Sequence, residues 1–481
     1  MLSAAVLLPG SAAACLPYRC RQSLSQLPSL ASWGLQLSNS TYHKATATAV
    51  RAQTVVQDTA VSADIPAQTL PAFLAELQNR QTGRLRSPVV DQQGRIILKN
   101  LTKSELADWF EMQGERRQRA NHLWRWMYYK DHWVQDLEET HGKQYGFGAD
   151  FRQSFNTQAT LDGGLELQSV HRAADGTCKM LFKLKDQDVA GAIETVLIPV
   201  VREGSLKPRT TLCVSSQVGC AMNCQFCFTG RMGLRAQLST AQIVEQVIEA
   251  LRLASRESKA AALGLEGAAP LPPITNIVFM GMGEPLHNLS AVMSAVHILC
   301  DNTGLQFSHN KVTVSTVGLV PQLRYFVANS PAQLAVSLHA TTDEVRKQIV
   351  PVNRKWPLHT LMAALQDAFP RRVGKSHPRH VLIEYVMLKD VNDTLEDAHR
   401  LVELMQPIEC KINLIMFNPH QGTRFTASDM NQVEAFRAII MQAKRVCTIR
   451  DSRGDDEMAA CGQLGSLEEG LLPSASILSL T

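Results

Sequence analysis

No apolar run reaches the roughly 18 residues that a membrane-spanning helix needs, so no membrane partner is expected of this 481-residue chain. Acidic residues are missing from its beginning. The first is Asp58, whereas Arg19, Arg21, Lys44 and Arg51 precede it among many Ala, Ser, Leu and Thr. That composition reads as an organellar transit peptide over 1–57; a disordered tail or a secretory signal without its basic start are the other readings. Few Arg stand before Arg19, which favours a chloroplast over a mitochondrion. A strong net charge is missing too. The 48 basic residues less these four leave 44, against 44 acidic ones, so a nucleic-acid partner must be argued from local patches. The eleven cysteines show no disulfide-framework spacing and suit a reducing compartment.

What is present centres on Cys220, Cys224 and Cys227, a Cys-x3-Cys-x2-Cys run. Three thiolates on one loop suit an iron–sulfur cluster with one iron left open for a second molecule. Structural zinc is the alternative. It calls for four closed ligands, commonly two cysteine pairs, and no second such pair exists, though a distant Cys or His could complete a site. Ser239 and Gln242 then read as the capping box of a helix.

Residues 58–95 read as a linker. Residues 96–160 read as a small helical domain holding Trp109, Trp124, Trp126 and Trp133 with Arg116, Arg117, Arg119 and Arg125 between them. Either this is an RNA-docking module, with Arg on phosphates and aromatics on bases, or Leu123, Trp126 and Met127 are a core stripe beneath a solvated basic face. Residues 161–209 read as a strand-rich connector with strands near 180–184 and 193–198. Glu194 lies in the second, as an outward-facing residue or as a carboxylate aimed at a substrate. From 210 to 465, six strand patterns (210–214, 274–280, 311–316, 333–338, 381–387 and 411–417) alternate with helical ones. That rhythm predicts an α/β fold, a partial, open (β/α)6 barrel with chemistry at the C-terminal ends of its strands. Residues 252–273 read as an insertion loop and 466–481 as a tail. The basic stretch Arg371, Arg372, Lys375, Arg379 and His380 reads as a phosphate contact or a solvated loop.

The strand after that insertion ends in Gly281-Met-Gly-Glu-Pro, whose glycines would let backbone approach a ligand and whose Glu284 could hold a cationic amine. With the cysteine run upstream, the chain resembles the radical S-adenosylmethionine (SAM) superfamily. Cys213-Val-Ser-Ser-Gln, Ser337-Leu-His-Ala, Glu384-Tyr-Val-Met-Leu, Asn418-Pro and Arg453-Gly-Asp-Asp…Ala-Ala-Cys461-Gly-Gln-Leu make it similar to the RlmN/Cfr family of RNA adenine methyltransferases over about residues 95–465. The resemblance implies that Cys220, Cys224 and Cys227 hold one 4Fe-4S cluster. It implies that Gly283, Glu284, Ser315, Ser337, Leu338, His339 and Asn418 line a SAM pocket, with two SAM used per turnover. Cys461 would carry the methyl group, Cys213 would resolve the intermediate and leave a disulfide bond, and Glu194 would accept a proton. The implied partners are rRNA, with tRNA in bacterial members, and a low-potential electron donor of flavodoxin or ferredoxin type.

Carbon 2 of adenine lies between two ring nitrogens and is a poor nucleophile, so radical chemistry from a sulfur-borne methyl is what the resemblance implies. Taken by themselves, Cys213 and Cys461 also fit inert buried thiols, and His339 a satisfied strand-end histidine. Phe228-Thr-Gly-Arg-Met-Gly departs from the bacterial RlmN type toward Cfr-like members, whose target is carbon 8. Another radical SAM activity, or a metal-stabilised RNA-binding module without catalysis, remain the competing readings.

Overall fold

Cys178–Leu184 alternates buried and less buried side chains, the period of a strand with one face in the core. Val381–Met387 is buried almost throughout, as a central parallel strand covered on both faces should be. The computed structural model that joins them describes residues 89–140, 146–185, 191–201, 207–371, 379–450 and 452–465. The expected transit peptide, most of the linker, the tail, and Arg372 and Lys375 lie outside the described residues.

One ten-stranded sheet organises the chain, and its spatial order is its sequence order. We number its strands β1 Leu165–Arg172, β2 Cys178–Leu184, β3 Ala192–Val200, β4 Arg209–Cys213, β5 Ile274–Phe279, β6 Val312–Thr316, β7 Gln333–Ser337, β8 Val381–Met387, β9 Cys410–Met416 and β10 Cys447–Arg450. β1 to β4 form an antiparallel meander. β4 to β10 run parallel, joined through helices. The expected α/β fold, a parallel sheet joined through helices, is therefore present.

Four expectations need correction. The stretch 161–209 is not a separate connector: its hairpin strands extend the barrel sheet, because β3 hydrogen-bonds directly to β4. A seventh parallel strand, β10, follows the six expected; at four residues it is too short to show a clear period. Residues 252–262 are not loop but the continuation of the helix Thr240–Ala262, built from the good helix formers Arg, Ala, Glu and Lys. Its capping box is as expected, with Ser239 Oγ accepting from Gln242 N at 3.1 Å and Gln242 Oε1 from Ser239 N at 2.9 Å. Finally, the four Trp of the helical domain are buried, so none offers a face to a base. They pack a core with Phe110 and Phe155, under the helices Lys103–Met112 and Arg117–Tyr128. Arg117 pairs with Asp108 and Glu111, and Arg119 with Glu115.

That domain is tied to the barrel. Lys99 Nζ meets Glu245 Oε2 at 2.6 Å with both side chains buried, and Trp124 Nε1 donates to Asp301 at 3.0 Å. Among the described residues no helix is long and apolar enough to cross a membrane.

Candidate active site

The cysteine loop leaves the C-terminal end of β4 through a short hairpin, Gln217–Cys220 with Gly233–Gln237. Cys220, Cys224 and Cys227 line one cavity together with Glu284, Ser315, Ser337, His339, Asn418 and Cys461. Burial raises the pKa of all three thiols, so they stay protonated until a metal replaces the proton. Among the described residues no group of three or more His, Cys, Asp or Glu is arranged to hold a single metal ion. The three thiols face one cavity and are near enough to feel each other's charge, a donor set that suits an iron–sulfur cluster.

Glu284 is pinned beside them. Its Oε2 accepts from Val317 N at 2.9 Å and its Oε1 from Leu286 N at 3.1 Å. Burial pushes its carboxyl up to about 7, with these N–H groups pulling the other way. Gly281 and Gly283 serve a purpose the sequence reading missed. A Cβ at Gly281 would lie 2.8 Å from Val214 O, and one at Gly283, where φ is +100°, 2.5 Å from Gln217 Cβ. Their small size admits the chain's own cysteine-bearing segment, and both also line the cavity.

His339 sits at φ +59°, a strained left-handed position for a non-glycine residue. Its Nδ1 accepts from Val386 N at 3.0 Å. Burial, aided by the Arg346 charge, lowers its pKa to about 3 and keeps the ring neutral. It is both a satisfied strand-end histidine and a cavity wall. Leu338 differs from the expectation: its side chain is in the core, and its N–H and carbonyl are spent on Glu384 O and Arg346 Nε.

Cys461 lies on a loop fastened from several sides. Asn418 Nδ2 donates to Cys461 O at 3.1 Å, Phe228 N to Gly462 O at 2.8 Å, and Gln463 Nε2 to Pro419 O at 2.9 Å. Glu194 Oε2 accepts from Gly465 N at 3.0 Å, and its Oε1 is 3.5 Å from Lys179 Nζ. Glu194 thus points inward, 5% exposed, against the Cys461 loop, and does not line the cavity. Cys213, at the end of β4, is a free thiol like Cys461. Burial pushes Cys213 up to about 12, with Cys461 adding to the rise and Arg450 opposing it. Cys461 is an exposed residue, yet the protein packed around its thiol raises the pKa, with Glu384 adding to the rise and the Arg450 charge opposing it. The two thiols therefore share one electrostatic neighbourhood.

A model of the Radical SAM superfamily matches residues 214–402. The dual-specificity RNA methyltransferase RlmN of Geotalea uraniireducens is 43% identical over 378 residues, covering 78% of this chain and 99% of that protein. The RlmN of Methylorubrum extorquens is 40% identical, covering 76% and 83%. The crystal structure of a radical SAM methyltransferase from Sphaerobacter thermophilus superposes with a TM-score of 0.65 at 36% identity, over 76% of this chain and 98% of that one. The chain belongs to the RlmN family. It is a radical SAM RNA methyltransferase, and its cofactors are a 4Fe-4S cluster and SAM.

In RlmN terms, ten of the thirteen expected site residues line one cavity, and Cys213, Glu194 and Leu338 stand outside it. The sequence reading missed three residues that shape it. Arg346 is fully buried and ties the ends of β6 and β7 together, with Nη2 on Val317 O at 2.7 Å and Nε on Leu338 O at 2.9 Å. Gln246 holds Ser215 by both backbone groups, at 2.8 and 3.0 Å. Arg450 stands near Cys213, Cys461 and Glu384. Only the last gave a possible signal, as a cation closing an otherwise apolar strand.

Proposed function

We propose that this RlmN-family enzyme methylates carbon 2 of an adenine in large-subunit rRNA, and a tRNA adenine as well, inside a chloroplast. The observation that carries this reading is that two chain-distant thiols, Cys213 and Cys461, feel each other's charge and that of Arg450, with Cys461 in the wall that bears the three cluster cysteines. A radical SAM enzyme that did not route a methyl group through sulfur would have no use for that pair.

When bound, the cluster and SAM supply one-electron cleavage of SAM, fed by a flavodoxin- or ferredoxin-type donor; two SAM are used per turnover. Cys220, Cys224 and Cys227 hold the cluster. Glu284, Ser315, Ser337, His339 and Asn418 would hold SAM, and the Glu284 carboxylate would suit a cationic amine. Cys461 takes the methyl group as a thiolate, which Arg450 favours, and becomes the carbon donor to the base. Glu194, released from Gly465, takes the ring proton. Cys213, as its thiolate, would then attack Cys461 sulfur: an S–S bond forms, the S–C bond breaks, the freed carbon takes a proton to become the product's methyl group, the unpaired electron of the adduct returns to the electron carrier, and the disulfide is reduced afterwards. Exposed cations of the 96–160 domain, Arg116 and Arg125 among them, meet RNA phosphates.

Mass spectrometry of adenosines from organellar rRNA and tRNA, with and without the protein, tests the reading. Loss of 2-methyladenosine is expected. Loss of 8-methyladenosine alone would favour the carbon-8 alternative that Phe228–Gly233 suggests, and no change in either would refute both. Residues 1–57 fused to a fluorescent protein should enter plastids; entry into mitochondria would correct the compartment.

A further inference from the structure

Two cavities meet at Cys461. The first holds the cluster cysteines, Glu284 and His339. The second is lined by hydroxyl and amide side chains, among them Thr211, Asn276, Thr313, Asn413 and Thr448, and by the cations Arg209, Arg450 and Arg453. Met280, Glu384, Ile415, Met416, Asn418 and Cys461 line both and form their common wall.

Glu384 is the acid in that wall and is 2% exposed. It shares one rung of the sheet with Asn413 on β9 and Thr448 on β10. The Thr448 hydroxyl donates to Asn413 Oδ1. That turns the Asn413 amide nitrogen toward Glu384, and Nδ2 donates to Oε1 at 3.1 Å. Oε2 is buried and has no hydrogen-bond partner among the described residues. Buried polar atoms are seldom left so, and an orphaned one marks a place where a ligand belongs. What is wanted there is a hydrogen-bond donor.

An enzyme acting on a base takes it out of its stack, holds it between apolar side chains and reads its Watson–Crick edge. Met280 and Met416 supply soft, polarisable flanks in the same wall. In adenine, carbon 2 and the exocyclic amino group flank N1 on one edge, so a base with carbon 2 at Cys461 carries its amino group close by. We propose that Glu384 Oε2 accepts a hydrogen bond from the exocyclic amino group of the target adenine, and that the Thr448–Asn413–Glu384 relay selects adenine at this site. This rests on the adenine methylation proposed above and adds the residue that recognises the base.

Glu384→Gln tests it without changing shape. Asn413 donates to Oε1, so the glutamine must place its oxygen there and turn its NH2 toward the base, donor against donor. Full-length protein, reconstituted without oxygen, is given target RNA carrying either adenosine or purine riboside, which lacks the amino group. The wild type should methylate adenosine at least about tenfold faster than purine riboside. E384Q should lose about tenfold on adenosine, stay within about twofold on purine riboside, and so lose the preference. RNA-free methylation of Cys461 from SAM should be kept, at or above the wild-type rate, because losing the Glu384 charge eases ionisation of that thiol. A retained preference, or an equal fall on both RNAs, overturns the proposal. So does loss of Cys461 methylation, which would assign Glu384 to SAM. A wild type that methylates no RNA removes the adenine reading, and this assignment with it.

Discussion

Arg450 acts on two thiols at once. Its Nη1 lies 3.8 Å from the Met280 sulfur, and its charge opposes the rise that burial imposes on Cys213 and Cys461. Arg450→Met removes that opposition, so both thiols move up and less thiolate exists at a given pH. Well below its pKa, a thiol whose pKa rises by about one holds about tenfold less thiolate. Methylation of Cys461 in the absence of RNA, followed by intact-protein mass, should slow by about tenfold near neutral pH and recover as pH rises. A second titration concerns Glu284, pushed up to about 7 by burial. Its anionic form, which attracts a cationic amine, predominates above that pH. Binding of SAM to the reconstituted protein should therefore tighten as pH rises through about 7 and weaken as it falls; equilibrium dialysis under nitrogen reads this. A pH-independent affinity would mean that Glu284 does not meet the amine.

At the scale of elements, the strand ends that carry Ser315 and Ser337 are held in place by a buried cation rather than by packing alone. Arg346 leaves the helix Asp343–Ile349 to bond Val317 O, Leu338 O and the Asn353 side chain. Arg346→Met would leave these acceptors buried and unpaired, at about 1–3 kcal/mol each. Urea unfolding should show a loss of about 3 kcal/mol or more, with weakened SAM binding because β6 and β7 no longer share a brace. Gly281→Ala should fail differently. Its Cβ would meet backbone, Val214 O at 2.8 Å, where no side chain can yield. The strand after β4 would have to shift, and the cysteine loop with it, so cluster incorporation read by absorbance should fall before global stability does.

Across the whole molecule, one buried ion pair joins the helical domain to the barrel. Lys99 faces Glu245, which Arg252 also approaches at 3.4 Å. Lys99→Met leaves a buried carboxylate with a weaker partner, and a broken buried pair costs about 3–5 kcal/mol. A drop toward the lower end of that range is expected in urea unfolding, with loss of RNA binding and little change in RNA-free methylation of Cys461. An intact RNA affinity would show that the 96–160 domain takes no part in docking.

The sequence by itself determined what is local in the chain. The cysteine run, the capping box at Ser239, the six apolar strand patterns and the Gly281-Met-Gly-Glu-Pro turn each need only neighbouring residues, so their chemistry is written in spacing. The resemblance to the RlmN/Cfr family, not periodicity, named ten residues that line one cavity where strand ends in a parallel sheet converge. Only the tertiary structure decided what depends on contacts between distant segments. It joined 161–209 to the barrel and buried the four Trp. It set the inward turn of Glu194 onto Gly465, the Arg346 brace, and the rung that leaves one Glu384 oxygen free. A side chain's hydrogen-bond partner and burial are properties of the packed molecule, and no periodicity along the chain encodes them.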